Sequence, residues 1–270
     1  MDSKETQARW ALRYAKRIVI KIGTSSLTYD SGKMNLRRIE KLARVISDLM
    51  NAGKEVILVS SGAIGVGTDV MKLPERPKTV AGRQAAAAVG QVSLMQVYSR
   101  MFGDYGYNVA QLLITKDTID NPESKQNAVN TFTELIRMRV LPVVNENDTV
   151  AVDEIKFGDN DNLSSIVARI TGADLLVILT DIDGYYMENP NETPDARMYH
   201  TITDLSEEIE RAAGGAGSKL GTGGMLTKVH ASRLAAASGI HAVIANGEDP
   251  DIIHSILDGE DVGTLFVPHE

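Results

Sequence analysis

The chain has 270 residues, 43% of them hydrophobic and 24% charged, a size at which about three quarters of the unfolded surface is buried and no disulfide or metal staple is needed. Its 28 basic and 36 acidic side chains leave a net charge of −8, which argues against a generic nucleic-acid or anionic-membrane binder, because both need a positive face. The absence of cysteine removes disulfides, thiolate metal sites, iron–sulfur clusters and a cysteine nucleophile together, and a cytoplasmic address fits best.

Met1 to Arg17 is polar with scattered apolar residues and lacks the apolar core of a secretory signal. No apolar run approaches the roughly 20 residues of a bilayer span, so the chain reads as a non-membrane protein. Arg17 to Ile22 reads as a first strand, closed by Gly23-Thr24-Ser25-Ser26. From Asn35, a plausible N-cap, the residues Ile39, Leu42, Ala43, Ile46, Leu49 and Met50 keep helical spacing up to Gly53, a typical position for a helix-ending glycine. Val56 to Val59 is a second strand, and Ser60 to Gly67 reads as a small-residue turn that opens another helical region. Strand, glycine turn and helix in succession form an anion-binding geometry.

An alanine-rich helix is expected over about 79–101, a strand over Val109 to Ile114, a helix near 122–138 and a strand over Val140 to Val144. The polar stretch that follows, with a short alternating run from Val150 to Phe157, reads as a hairpin lid over a site. Ala173 to Leu179 is an apolar strand ending in Thr180-Asp181, and 185–200 is rich in turns. A helix over about 226–238, a strand over Ala242 to Ala245 and a helix near 250–258 complete the chain. Short β-branched runs alternating with helical stretches give an α/β fold around a mainly parallel sheet.

In open α/β sheets ligands sit beyond the carboxyl ends of the strands, so polar residues collected there carry the most weight. Four collections stand out: Lys21-x-Gly23-Thr24-Ser25, Ser61-Gly62-Ala63, Asn145-Glu146-Asn147-Asp148 and Thr180-Asp181. The glycine-rich segment Gly221 to Lys228 also leads into a helix, where exposed amides and a positive dipole end favour phosphate. Lys21 interrupts an apolar strand just before a glycine turn; an edge-strand lysine reaching water is the competing explanation.

Several familiar chemistries lose support. No G-x-x-x-x-G-K-[ST] occurs, Gly62, Gly65 and Gly67 have the wrong order for a dinucleotide turn, and H-E-x-x-H, G-x-S-x-G and the protein-kinase motifs are missing. Asp159-Asn160-Asp161 lacks the glycine and the twelfth ligand of a calcium loop. The histidines at 200, 230, 241, 254 and 269 have no ligand spacing. What remains, two lysines, glycine turns and carboxylates among amides, suits phosphoryl transfer, in which positioned cations neutralise charge on the moving group.

Val-Ile-Lys21-Ile-Gly-Thr-Ser-Ser, Val-Ser-Ser61-Gly-Ala-Ile, Val-Asn145-Glu-Asn-Asp148, Gly158-Asp-Asn-Asp161-Asn, Leu-Thr180-Asp181-x-Asp-Gly and Gly221-Thr-Gly-Gly-Met-x-Thr-Lys228 together resemble the amino acid kinase family. The likeness spans residues 17–267; the first, fifth and last motifs mark the wider family, while Asn145-Glu-Asn-Asp148 and Gly158-Asp-Asn-Asp161-Asn are much more specific to the glutamate 5-kinase branch. It implies a three-layer α/β/α sandwich with amino acid and ATP side by side over the carboxyl edge of the sheet. It also implies residues 1–16 as an N-terminal extension, residues 17–270 as a single kinase domain with glutamate-binding and ATP-binding halves, and no PUA domain.

The resemblance further implies transfer of the γ-phosphoryl of ATP to the glutamate side-chain carboxylate. Lys21 and Lys228 match the family's paired lysines, and Asp161 the carboxylate that organises both. Ser61, Asp148 and Asn160 match its glutamate contacts, with Asp148 the choice for the substrate ammonium and Asn145 and Asp159 secondary. Gly23 and Gly62 would cradle phosphoryl and carboxylate groups. Thr180, Asp181 and the turn Thr222, Gly223, Gly224, Met225, Leu226, Thr227 and Lys228 match the ATP site. Magnesium would travel on the ATP phosphates without a firm protein ligand. Proline as feedback inhibitor, a homo-oligomer (dimer or tetramer) and a glutamyl phosphate reductase as partner are family expectations. Another amino acid kinase, acting on N-acetylglutamate or aspartate, and a non-catalytic amino-acid sensor are the alternatives.

Overall fold

The computed structural model describes residues 3–29, 31–150, 160–188, 190, 192–193, 195–205, 209 and 224–268. Among these, eight strands form one sheet: β1 (Arg17–Ile22), β2 (Glu55–Ser60), β3 (Val109–Ile114), β4 (Leu141–Glu146), β5 (Leu175–Thr180), β6 (Thr201–Ile202), β7 (His241–Asn246) and β8 (Thr264–Phe266). Their order is β3-β4-β2-β1-β5-β7-β8-β6, and every neighbouring pair is parallel except β7 with β8. β1 therefore lies in the middle of the sheet, which removes the edge-strand explanation for Lys21.

Alternation along each strand sorts the core into two layers. Ile18, Ile20 and Ile22 of β1 join one cluster with Leu58, Val177 and Val243, packed under the helices Leu36–Asn51, Val80–Gly103 and Ile252–Leu257. Val19 joins the opposite cluster with Ile57, Val59, Leu176 and Ile178, under the helices Pro122–Arg137, Asn160–Thr171 and Met225–Ala236. Strands buried on both faces read as near-continuous apolar runs, and that is why β2, β4 and β5 were visible in the sequence. Lys21 shares its parity with Val19 and so points into the second layer.

Local signals set the helix limits. The Asn35 side chain accepts from the Arg38 backbone, and Gly53, at φ +84°, follows the C-cap of the helix it ends. Thr79 caps the long helix by accepting from Gly82, and Asn121 with Pro122 opens the next. Only Ser61 and Gly62 form the turn after β2. Gly65 and Gly67, expected in that turn, lie instead inside the helix Ala63–Val70.

The reason is a close helix crossing. A Cβ on Gly67 would sit 1.8 Å from the Ala86 carbonyl oxygen, and one on Gly90 would sit 1.8 Å from that of Ala63. Gly67→Val is expected to force the helices apart and lower stability by about 1–3 kcal/mol or more, read as a fall in thermal midpoint. Gly62 itself has φ +102°, a left-handed conformation that side chains resist.

Helical turns precede β1 from Ser3 onward. Ser3–Ala11 is a helix, and Arg9, 1% exposed, donates to the carbonyls of His200 (2.7 Å), Val262 (2.8 Å), Gly263 (3.0 Å) and Glu260 (3.1 Å) and pairs with Asp261 at 3.0 Å. The guanidinium thereby ties the N-terminal helix to the β8 end of the sheet. The expected lid, beyond Val150, falls outside the described residues. Among the described residues no helix is long and apolar enough to cross a membrane.

Candidate active site

Three charged side chains from distant parts of the chain meet above the carboxyl ends of the central strands. Lys21 stands next to last in β1, with its side chain turned toward the helix Asn160–Thr171 by strand parity. Its ammonium lies 2.6 Å from Asp161 Oδ1. Lys228, in the first turn of the helix Met225–Ala236, lies 3.2 Å from Asp161 Oδ2, and Thr227 Oγ1 donates to the same oxygen at 2.8 Å.

Asp161 is fully buried, and Lys21 and Lys228 are only 5% and 7% exposed. Burial alone would raise the carboxyl pKa. The charges of Lys21 and Lys228, with hydrogen bonds from Lys21 and Thr227, outweigh it and hold the group below the usual carboxylate range. Asp161 also sits in the first turn of its own helix, where the dipole favours an anion, whereas Lys228 occupies a first turn that disfavours a cation. The shared carboxylate offsets that disadvantage and the mutual repulsion of the ammonium groups. Gly23 adjoins them: a Cβ there would lie 3.6 Å from Lys21 Nζ.

Beside this bridge lies a chain of amides. Asn160 Nδ2 is 2.8 Å from Ser61 Oγ, 2.8 Å from Asn145 Oδ1 and 3.2 Å from the Ser60 carbonyl. Asn145, the fifth residue of β4, donates in turn to Gln91 Oε1 at 3.0 Å. Ser60 Oγ meets the Tyr98 hydroxyl at 2.8 Å, and burial pushes that phenol up, so it stays neutral. Gln91 and Tyr98 were missed in the sequence. The signal was present: Ala87, Gln91, Leu94, Tyr98 and Phe102 fall at helical spacing and are all buried, so a glutamine occupied an apolar position.

The remaining expected residues are placed as follows. Gly62 opens the helix behind Ser61, and Asp148 is half-buried in the turn after β4. Thr180 ends β5 on the same face as Lys21 and donates to Asp181 at 3.0 Å, while Asp181 itself is exposed. Gly224 caps the helix that carries Lys228, Met225 packs on the second core cluster, and Leu226 is exposed. Asp159, Thr222 and Gly223 lie outside the described residues. In the sheet, β5 with Thr180 lies on one side of β1 and its Lys21, and β2 and β4, which lead to Ser61 and carry Asn145, lie on the other.

Comparison with known proteins identifies the family. Residues 16–246 match the amino acid kinase family. The chain is 52% identical over 263 residues to the glutamate 5-kinase of Clostridium perfringens, covering 96% of this chain and 98% of that protein. It is 53% identical over 262 residues to the glutamate 5-kinase of Listeria monocytogenes, covering 96% and 95%. In three dimensions it is similar to UMP kinase from Bacillus anthracis, with TM-score 0.65, 18% identity and coverage of 95% and 97%. It is also similar to carbamate kinase from Giardia lamblia bound to AMP-PNP, with TM-score 0.67, 17% identity and coverage of 95% and 100%. At these identities the likeness to the two structures is one of fold.

Proposed function

This chain belongs to the amino acid kinase family, and within it to the glutamate 5-kinases, and from that premise we propose how its residues divide the work. The reaction is ATP-dependent phosphorylation of the L-glutamate side-chain carboxylate to L-glutamyl 5-phosphate, the first step of proline biosynthesis. A carboxylate oxygen forms a bond to the γ-phosphorus while the bond to the β–γ bridging oxygen breaks, and ADP departs with that electron pair.

The nucleophile is already deprotonated, so no general base is required. The obstacle is repulsion between two anions. Lys21 and Lys228 flank the transferring phosphoryl group and offset charge at its two ends, and Asp161 holds them in place rather than taking a proton. The observation that carries this reading is the bridge from Lys21 to Lys228 through one buried carboxylate.

Ser61, Asn145, Asp148, Asp159 and Asn160 hold glutamate, with Asp148 the anion for its ammonium. Gly23 and Gly62 offer backbone amides to anionic groups, and Thr180, Asp181 and residues 222–228 hold ATP. Magnesium would arrive on the ATP phosphates and keep several of its waters, so no protein cage is asked of the chain. The metal would neutralise phosphate charge there, and no further step is assigned to it.

The experiment is a comparison of acceptors, with the acyl phosphate trapped by hydroxylamine. Glutamate is expected to give hydroxamate and ADP, and N-acetylglutamate and aspartate to give neither; turnover with either of those and not with glutamate would refute the assignment. The 52% identity to a named glutamate 5-kinase over nearly the full chain leaves the other amino acid kinases unfavoured.

The proposal puts the reaction in the cytoplasm, where ATP, its donor, is plentiful. Proline, an amino acid lacking the second carboxylate, is assigned to the glutamate pocket as feedback inhibitor. A proline titration is expected to lose its effect as glutamate is raised, and inhibition independent of glutamate would contradict the shared pocket. A homo-oligomer, a dimer or tetramer, belongs to the same proposal. The labile acyl phosphate calls for a glutamyl phosphate reductase as the protein that consumes it.

A further inference from the structure

We infer that Gln91 is a positioning residue that fixes which way the site's two asparagine amides point, and through them the face offered to the amino-acid substrate. The inference rests on Asn145 and Asn160 lining the glutamate pocket as proposed above.

The direction of the relay follows from one atom that cannot change its role. The Ser60 carbonyl is only an acceptor, so the end of Asn160 that lies 3.2 Å from it must be the nitrogen. The Asn145 atom 2.8 Å from that nitrogen must then be its oxygen, and Asn145 turns its own nitrogen to Gln91, which must present Oε1 at 3.0 Å. With its nitrogen shared among Ser60, Ser61 and Asn145, Asn160 meets no donor at its carbonyl end among the described residues, and that end would accept from a cation such as the substrate ammonium.

Gln91 is 8% exposed and sits on the long helix beneath the sheet, removed from the Lys21, Asp161 and Lys228 bridge. Its contact to the site is through Asn145. Without an acceptor there, the Asn145 amide can rotate by half a turn and set nitrogen against nitrogen at Asn160, which loses one hydrogen bond and disorders the other amide. A buried polar chain is specified only when each member is satisfied.

The test compares Gln91→Leu, which removes the acceptor at similar size, with Gln91→Glu, which restores one. Thermal midpoints are measured alongside, and Gln91→Met replaces the leucine variant if that fails to fold. Gln91→Leu is expected to raise KM for glutamate about tenfold, the scale of one lost hydrogen bond, with KM for ATP within about twofold of the parent. Gln91→Glu is expected to recover most of the glutamate KM. A glutamate KM unchanged in the apolar variant, equal shifts in both KM values, or no recovery with glutamate at 91 would overturn the inference. Wild-type enzyme that does not turn over glutamate would instead overturn the functional reading beneath it.

Discussion

Lys228→Ala is expected to lower turnover by about 10²–10³-fold, the scale of removing one preorganised group that faces charge developing in the transition state. The ammonium is nearly dry and 3.2 Å from Asp161, so its field acts with little screening by water. Repulsion between glutamate and ATP exists in the ground state too, but charge on the bridging oxygen grows only as the phosphoryl group moves, so the loss falls mainly on kcat. Lys21→Ala is expected to behave similarly. If both lysines act on one phosphoryl group, as proposed, the double variant should lose far less than the product of the single effects. Steady-state kinetics at saturating glutamate and ATP checks this, and near-normal kcat in both single variants would remove the assigned roles.

Asp161→Asn carries the second large effect, on stability as well as turnover. Removing the carboxylate leaves Lys21 and Lys228 buried together without a counter-charge, and breaking a buried ion pair from one side costs about 3–5 kcal/mol. Turnover is expected to fall at least 10²-fold, because the ammonium groups separate or lose their protons. Adding Lys21→Met to Asp161→Asn should restore part of the stability and none of the activity. That split distinguishes charge balance from loss of a base. The native carboxyl lies below its unfolded value, so its stabilisation is complete above the ordinary carboxylate range, roughly pH 4, and is lost as pH falls through the lowered native value. Urea unfolding should therefore show a wide gap between parent and variant at neutral pH that narrows in acid.

The parts of this architecture that were legible in the sequence share one property: their signal is local. β1 at Arg17–Ile22 and β3 at Val109–Ile114 are bounded as expected, because each is a mainly apolar run rich in Val, Ile or Leu between turn residues, broken only by Lys21 in β1 and by the exposed Gln111 in the edge strand β3. The helix Leu36–Asn51 starts at Asn35 and stops before Gly53 for equally local reasons, a side-chain cap and a left-handed glycine. The two- and three-residue strands β6 and β8 went unseen, being too short for any period to register. The antiparallel turn of β8 against β7 was invisible for the same cause.

Longer-range features needed the fold. Gly67 looked like part of a phosphate turn because a glycine needed for a helix crossing and a glycine needed for a turn are the same letter. The convergence of Lys21, Asp161 and Lys228 came from the motif resemblance; spacing along the chain says nothing of a contact between β1 and the starts of two helices more than a hundred residues on. Strand parity explains it afterwards, since Lys21 and Val19 face the layer that contains both helices. Gln91 is the opposite case: its buried position was readable, but its partner Asn145, 54 residues away, was not.

The most direct test of the lysine pair is a crystal structure with glutamate, ADP and a planar aluminium fluoride standing in for the transferring phosphoryl group. The ammonium groups of residues 21 and 228 are expected within hydrogen-bond reach of the fluoride or its flanking oxygens, about 2.7–3.2 Å, on different sides of it. A complex in which either amine remains on Asp161 alone, with the fluoride held entirely by other groups, would contradict the account.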